Sequence, residues 1–342
     1  MSWIFVNLQA IMPKFSWEMM HIHFDTSPKD VWEFFYRTSP NSEPISGTNV
    51  SVSTNNDECF VCNSYFQGNP DESIITINAA NIKCLLSDCL FYECKFTKSF
   101  GGAINFQGDS SIVQYRTCGY KSKADNNGQH SYTKLSENSN NLNYIYSSSF
   151  LSCGKSEKIG TNYIQKGKVK VKSINTSSCN MEKYSGICIV GPTNPSTLTY
   201  STFFNNTANS YGVITLQKNN FNLYHCNVLN NTYESSSYGI FYGSGGKIHI
   251  ENSSFIGNTK GKTLFYTSGD YIITVEYCYC DETPSITSKV TINNTVNELF
   301  TNQLPHYSTY ECEAQYTIEN ILPTKAVIEE LKQMIYNVRR KH

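Results

Sequence analysis

The tetrapeptide Phe203-Phe-Asn-Asn206 returns as Val228-Leu-Asn-Asn231 and again as Phe255-Ile-Gly-Asn258. The shared pattern is an aromatic or apolar residue followed, three positions later, by Asn or Cys. Most intervals between copies are about 25 residues, a period typical of repeat architectures. The copies nearer the N-terminus are Phe66 with Asn69, Phe91 with Cys94, Tyr115 with Cys118, Phe150 with Cys153, and a degenerate copy that ends at Cys179.

Each repeat contains short alternating segments such as Ile248-His-Ile-Glu-Asn-Ser-Ser-Phe255, separated by polar residues. A Gly followed by apolar residues comes about ten positions after the motif, as at Gly212 and Gly239. Alternation with period two indicates strands rather than helices. Several short strands in each period predict one coil of a parallel β-helix.

We therefore predict an all-β fold, a single-stranded parallel β-helix of about 8–9 coils over residues 46–300. A leucine-rich repeat has a similar period, but it needs several Leu in each repeat. A β-propeller needs blades of about 40 residues. The motif's first residue should point inward and stack on its equivalent in the next coil. The Asn or Cys should lie at a turn, where Asn tolerates left-handed backbone and its amide can bond the neighbouring coils.

Both ends of the chain depart from the repeat. Residues 1–45 contain all three Trp and a helix start at Ser27-Pro-Lys-Asp30, and we predict that they cover the open end of the first coil. Residues 301–342 should form a tail with an amphipathic helix at about 324–340, either docked on the last coil or free for a partner or membrane surface.

Composition excludes several functions. The chain has 342 residues, with 27 Lys and Arg against 28 Asp and Glu, so it has no basic footprint for nucleic acid.

The 13 Cys are an odd number, which leaves at least one unpaired within a monomer. We expect them to be structural thiols or disulfides, because no paired CxxC motifs predict zinc. We expect no cofactor.

The enzyme interpretation requires converging carboxylates. Asp is absent between Asp125 and Asp270, and Glu in that span does not recur at one repeat offset. Gly243-Ser-Gly-Gly-Lys247 lacks P-loop spacing and is typical of a turn. A carbohydrate-active β-helix enzyme is the alternative, and a non-displayed gene fragment is another.

Gly101-Gly-Ala-Ile104 resembles the GGA[ILV] motif of the polymorphic outer-membrane proteins of chlamydiae, and Phe66–Asn69, Phe203–Asn206 and Phe255–Asn258 resemble their FxxN motif. The amino-acid composition, rich in Asn, Ser, Tyr and Cys, is similar to that of the Pmp-like surface proteins of trichomonad parasites. The resemblance implies a right-handed, pectin-lyase-like β-helix. It also implies a cell-surface or extracellular, adhesin-like or antigenic role, with a host-surface protein or glycan as partner.

Outward Tyr184, Tyr211 and Tyr238 precede the Gly of their coils and are predicted to stack, either as packing or as a binding stripe.

We expect no signal peptide or anchor in the chain, and no apolar run is long enough for a transmembrane helix. The possible glycosylation sites are Asn49, Asn175, Asn205, Asn230, Asn252 and Asn293.

Overall fold

The computed structural model describes residues 27–298, except 53, 55–56, 69–72, 98, 155–157, 236–237, 260–262, 270 and 282–288. The predicted parallel β-helix is confirmed, with about eight turns in which every strand pairing is parallel. Its right-handedness stays a prediction. Asn69 and the predicted C-terminal helix lie outside the described residues, as does most of the N-terminal segment.

Three sets of strands form the sides of the solenoid. The first set is β1 (Ile45–Thr48), β2 (Glu58–Gln67), β4 (Lys83–Tyr92), β7 (Ser111–Tyr115), β11 (Leu142–Tyr146), β14 (Lys168–Lys172), β18 (Thr193–Thr199), β22 (Phe221–Tyr224), β26 (Lys247–Glu251), β29 (Ile272–Glu276) and β31 (Val290–Asn293). The second set, which β2 and β4 enter with their C-terminal halves, continues with β8 (Cys118–Tyr120), β12 (Ser149–Leu151), β15 (Asn175–Ser177), β19 (Thr202–Phe204), β23 (Asn227–Leu229), β27 (Ser254–Ile256) and β30 (Tyr279–Cys280).

The third set is a separate eight-stranded sheet. Its strands are β3 (Ile75–Asn78), β6 (Ile104–Gly108), β10 (Ser131–Leu135), β13 (Asn162–Gln165), β17 (Ile187–Val190), β21 (Ile214–Gln217), β25 (Gly239–Ser244) and β28 (Thr263–Thr267). Short strands pair between the second and third sets: β5 (Lys95–Phe96) with β9 (Lys123–Ala124), and β16 (Asn180–Lys183) with β20 (Thr207–Ser210) and β24 (Thr232–Tyr233).

The first residues of the motif lie in register on the second strand set and point into the core. Phe66 stacks on Phe91 with ring centroids 5.1 Å apart, and both side chains are fully buried. Burying such a ring contributes about 1.5–3 kcal/mol, so this inner ladder is a large share of the core. From coil to coil its members are Phe66, Phe91, Gly119, Phe150, Thr176, Phe203, Val228, Phe255 and Cys280.

The prediction that Tyr115 and Cys118 belong to this ladder is wrong. Gly119 occupies the slot between Phe91 and Phe150, while Tyr115 lies in the first strand set opposite Ser87 and Tyr146. The motif spacing fits at Tyr115 by coincidence, because this coil takes 28 residues from Phe91 to Gly119 (119 − 91) rather than about 25. Cys118 is buried beside Leu90 on the outer side of the second set.

Left-handed residues mark the two corners of each coil, but not at the predicted position. Asn205 and Asn230 have φ of 52°, whereas the ladder residues Asn206 and Asn231 that follow them are not left-handed. The first corner, between the first and second strand sets, holds Asn63, Asp88, Arg116, Ser147, Ser173, Tyr200, His225, Asn252 and Tyr277. The second corner holds Gly68, Glu93, Lys121, Ser152, Ser178, Asn205, Asn230 and Gly257.

Helix α1 (Pro28–Tyr36) begins at the capping box predicted from Ser27 and Asp30. Contrary to the prediction of an end cap, the helix lies on the outer face of the first strand set. There Trp32 contacts Phe60 at 5.0 Å between ring centroids, and Phe35 contacts Tyr115 at 5.8 Å. Phe60, Leu85, Val113 and Tyr144 form an in-register apolar row on this outer face, and the helix packs against that row.

Candidate binding faces

The inner asparagine ladder is well formed and inaccessible. The Nδ2 atoms of Asn206 and Asn231 donate to the backbone oxygens of Thr176 and Phe203, each at 2.8 Å. Their Oδ1 atoms accept from the backbone N–H of the preceding coil, and Asn258 repeats the arrangement toward Asn231. Since Asn206 and Asn231 are fully buried, these residues hold coils together and cannot contact a ligand.

In the earlier coils, Cys occupies the position that Asn occupies in the inner asparagine ladder. The thiols of Cys94 and Cys153 point at the backbone oxygens of Phe66 and Gly119, 3.7 and 3.5 Å away. Burial raises the pKa of Cys94 to about 12, so its thiol stays protonated. Cys118 is disulfide-bonded, and the other eleven described cysteines, all buried except Cys280, are reduced thiols. Within the described residues no group of three His, Cys, Asp or Glu could hold a metal ion.

The outer face of the third strand set carries a continuous aromatic stripe. Tyr184 and Tyr211 lie 5.8 Å apart between ring centroids, and Tyr211 and Tyr238 lie 4.6 Å apart with their planes 19° from parallel. The predicted contact between these three tyrosines is confirmed, with Tyr211 stacked on Tyr238 and Tyr184 meeting Tyr211 edge to face. The complete aromatic stripe is Phe100, Tyr132, Tyr163, Tyr184, Tyr211, Tyr238, Tyr242 and Tyr266.

Two routes bring rings to this stripe. Tyr132 and Tyr163 are outward residues of β10 and β13, in register with each other. The equivalent residues of the next coils are Cys188 and Thr215, which are small. There the ring comes instead from Tyr184 or Tyr211, which lies ahead of the strand in left-handed conformation. Only the second position was predictable from the Gly that follows each Tyr, although the outward aromatic residues on alternating strands are a sequence signal for the first.

Hydrogen bonds and burial fix the phenol groups of the aromatic stripe. The Tyr132 hydroxyl donates to Gln165 Oε1 at 3.5 Å, and Gln165 Nε2 donates to the Tyr163 hydroxyl at 3.4 Å. Burial raises the pKa of Tyr163 to about 12, and a hydrogen bond to Tyr211 together with burial raises that of Tyr238 to about 12. Tyr163 and Tyr238 are therefore uncharged at physiological pH. Some neighbouring rings of the stripe stack, as Tyr132 does on Tyr163, and others meet edge to face, as Tyr184 does with Tyr211.

Carboxylates converge at one place on the first strand set. Glu251 and Glu276 are in register on β26 and β29, and His249 Nε2 lies 3.3 Å from Glu251 and 4.0 Å from Glu276. Asn252 and Asn293 donate to the same two carboxylates. The pair was not predicted, because Glu276 lies just beyond the span without Asp in which carboxylates were sought.

The potential glycosylation sites differ in exposure. Asn49, Asn205, Asn230 and Asn293 are exposed, and Asn252 is half-buried. Asn175 is 1% exposed, and its amide donates to Ser177 Oγ at 3.4 Å. The prediction that Asn175 can carry a glycan is therefore wrong for the folded protein, because a sugar there would have no route to solvent.

Comparison with protein-family models, with curated proteins and with solved structures finds no match to this chain. Within residues that the structure describes, no helix is long and apolar enough to cross a membrane.

Proposed function

We propose that this protein is a non-enzymatic, adhesin-like binding protein that recognises a host-surface protein or a glycan through the aromatic stripe. The observation that carries the proposal is the continuity of the stripe over seven coils. At about 4.8 Å for each coil, six steps give a surface roughly 29 Å long. That length suits an extended partner rather than a small molecule.

The chemistry of the stripe also supports a binding role. Tyrosine is enriched at protein interfaces because it offers a large, rigid contact area with a polar end. The stacked rings have already lost their side-chain freedom, so a partner does not bear that entropy cost on binding. The hydroxyl groups of the aromatic stripe can bond either sugar hydroxyls or a peptide backbone.

The test uses the full chain, a panel of glycans and host-cell surfaces. We expect the Y184S/Y211S/Y238S variant to bind its partner at least about tenfold more weakly, corresponding to a loss of about 1.4 kcal/mol. Its matched control is Y65S/Y92S/Y120S, which removes another stack of tyrosines, on the second strand set. Equal binding by both variants, each shown to be folded by circular dichroism, would overturn the proposal.

We also propose exposure at the cell surface or outside the cell, which is supported by the exposed potential glycosylation sites. Treatment of the protein from its own cell with a glycosidase should increase its mobility, and replacing Asn205 and Asn230 with Gln should reduce that shift. Replacing the buried Asn175 should leave the shift unchanged. A protein that shows no mobility shift after glycosidase treatment, and that lies inside the cell with no surface staining by an antibody, would contradict this localisation.

A carbohydrate hydrolase is the second candidate, favoured by Glu251 and Glu276. In-register residues of adjacent strands lie about 4.8 Å apart, close to the roughly 5–5.5 Å between the carboxyl groups of retaining glycosidases. The pair lies on a sheet face, and each carboxylate already accepts from an Asn side chain. Release of reducing sugar by the wild-type chain that E251Q and E276Q both abolish would favour this candidate over the first.

A further inference from the structure

Three lysines project from one face of β14. Val169 and Val171 of this strand are fully buried, so strand alternation turns Lys168, Lys170 and Lys172 outward together. We name these three residues the lysine row. It lies on the first strand set, directly beyond the area that helix α1 covers.

Uncharged residues surround the lysine row. Leu142, Tyr144 and Tyr146 lie opposite it on β11, and Thr193, Thr197 and Thr199 lie opposite it on β18. The outward residues of the next strands are Ser111, Val113 and Tyr115 on β7, and Asn222 and Tyr224 on β22. Among the described residues, these two strands on either side of β14 therefore carry no carboxylate on the outer face, a distance of roughly 10 Å or about one Debye length at physiological ionic strength.

The charge of the lysine row is uncompensated within the part of the chain that is described. None of its members forms an ion pair there, whereas neighbouring charges are paired: Lys166 with Glu137 at 3.0 Å and Arg116 with Asp88 at 2.7 Å. Partial burial of Lys170, with Lys168 and Lys172 on either side, lowers its pKa. These lysines repel one another, and an anion placed above them would relieve that repulsion.

Aromatic rings hold two of the ammonium groups in place. Lys170 Nζ lies 5.7 Å from the ring centroid of Tyr144, and Lys172 Nζ lies 5.7 Å from that of Tyr200. Such contacts are attractive and limit the freedom of long side chains. The row is thus a preordered line of cations with hydroxyl groups of tyrosine and threonine on both sides.

We propose that the lysine row binds a linear sulfated polysaccharide. Alternate strand residues are roughly 7 Å apart, which suits the regularly spaced sulfate groups of an extended glycan, and the flanking hydroxyls can bond its sugar rings. The row contains no Arg, the residue favoured for recognition of phosphate in nucleic acid, and the chain as a whole has no basic excess. The inference extends the proposed function by naming a ligand class, on a different side of the solenoid.

The first experiment measures binding of the full chain to immobilised heparin, to chemically desulfated heparin and to single-stranded RNA of similar length. We expect tight, salt-sensitive binding to heparin alone. The K168Q/K170Q/K172Q variant should lose at least tenfold in affinity, whereas K95Q/K134Q/K218Q, with the same change in net charge on other parts of the molecule, should bind as the wild type does. K168R/K170R/K172R should retain binding because it keeps the charge.

Several results would overturn the inference: no binding of heparin by the wild type, equal binding of desulfated heparin or of RNA, or equal losses in both glutamine variants. A second measurement does not depend on variants. Heparin should protect Lys168, Lys170 and Lys172 of the wild type from acetylation more than it protects Lys134 and Lys218. The aromatic-stripe variant Y184S/Y211S/Y238S should bind heparin normally, which separates this result from the test of the proposed function.

Discussion

A fully buried imidazole interrupts the inner ladder of phenyl rings. His130 lies between Phe91 and Phe150, with ring centroids 5.4 and 4.8 Å away, in the space that Gly119 leaves open. Any Cβ at residue 119 would collide with the imidazole, so the Gly and the His depend on each other. Nδ1 lies 3.2 Å from Ser122 Oγ, while Nε2 is buried with no hydrogen-bond partner among the described residues.

His130 predicts acid sensitivity. Burial lowers its pKa from 6.5 to about 3, so the unfolded chain takes up a proton that the folded chain refuses. Above pH 6.5 the protonation of His130 therefore does not reduce the free energy of unfolding. As the pH falls from 6.5 toward 3, the free energy of unfolding decreases by up to about 1.4 kcal/mol for each pH unit. Urea unfolding at pH 7, 6 and 5 should show this slope, and H130F should remove it. If the H249Q control removes the same slope, His130 is not its source.

The asparagine ladder predicts that substitutions at two adjacent residues differ strongly in their effect on the free energy of unfolding. N231A would remove the acceptor of the buried Asn206 N–H, which costs about 1–3 kcal/mol, and the hydrogen bond to the Phe203 carbonyl oxygen, which contributes about 0.5–1.5 kcal/mol. We expect the free energy of unfolding to fall by about 2–4 kcal/mol. N230G, at the exposed left-handed residue next to it, should change the free energy by less than about 0.5 kcal/mol, because Gly tolerates that conformation. Similar losses in both variants, measured by urea titration, would contradict the role of the ladder.

At the scale of elements, the helix on the first strand set predicts the effect of removing its anchor. Trp32 is completely buried against Phe60 and Tyr36. W32A should destabilise the protein by about 3–5 kcal/mol and increase binding of a hydrophobic dye, because the apolar face beneath it becomes exposed. F34A is the control, since Phe34 is 57% exposed and should contribute little. A stable, dye-negative W32A would show that the helix is dispensable.

The same elements show what could be predicted from the sequence. The repeat placed Phe66, Phe91, Phe150, Phe203 and Phe255 in one ladder because inward aromatic residues and corner amides recur at a nearly constant distance. It failed at Gly119, where a distant residue supplies the ring. Such a replacement depends on how coils pack in space, and no local pattern records it.

The position of helix α1 also escaped prediction. Its amphipathic pattern showed that one side had to be buried, but the end of the first coil and the side of several coils both offer apolar surface. Only the outward register of Leu85 and Val113 decides between them, and that register requires the fold. The aromatic stripe was found in part for a similar reason, since its members come from strands in some coils and from turns in others.

At the scale of the whole molecule, each coil contacts mainly its two neighbours, so stability should be lowest at the ends. Native-state alkylation followed by mass spectrometry can read this gradient, because buried thiols are distributed along the solenoid. We expect Cys278, near the last described coils, to react faster than Cys188 and Cys153 in the middle. Simultaneous labelling of all three would indicate that the solenoid opens as one cooperative unit.

The corner amides have a consequence for how such a molecule changes over generations. Asn206, Asn231 and Asn258 make the same bonds in successive coils, so each coil fits any neighbour built on the same plan. A duplication or deletion of one whole period preserves every corner and changes only the length of the solenoid, by roughly 4.8 Å. Length can therefore vary by unequal recombination between periods without a new fold having to arise.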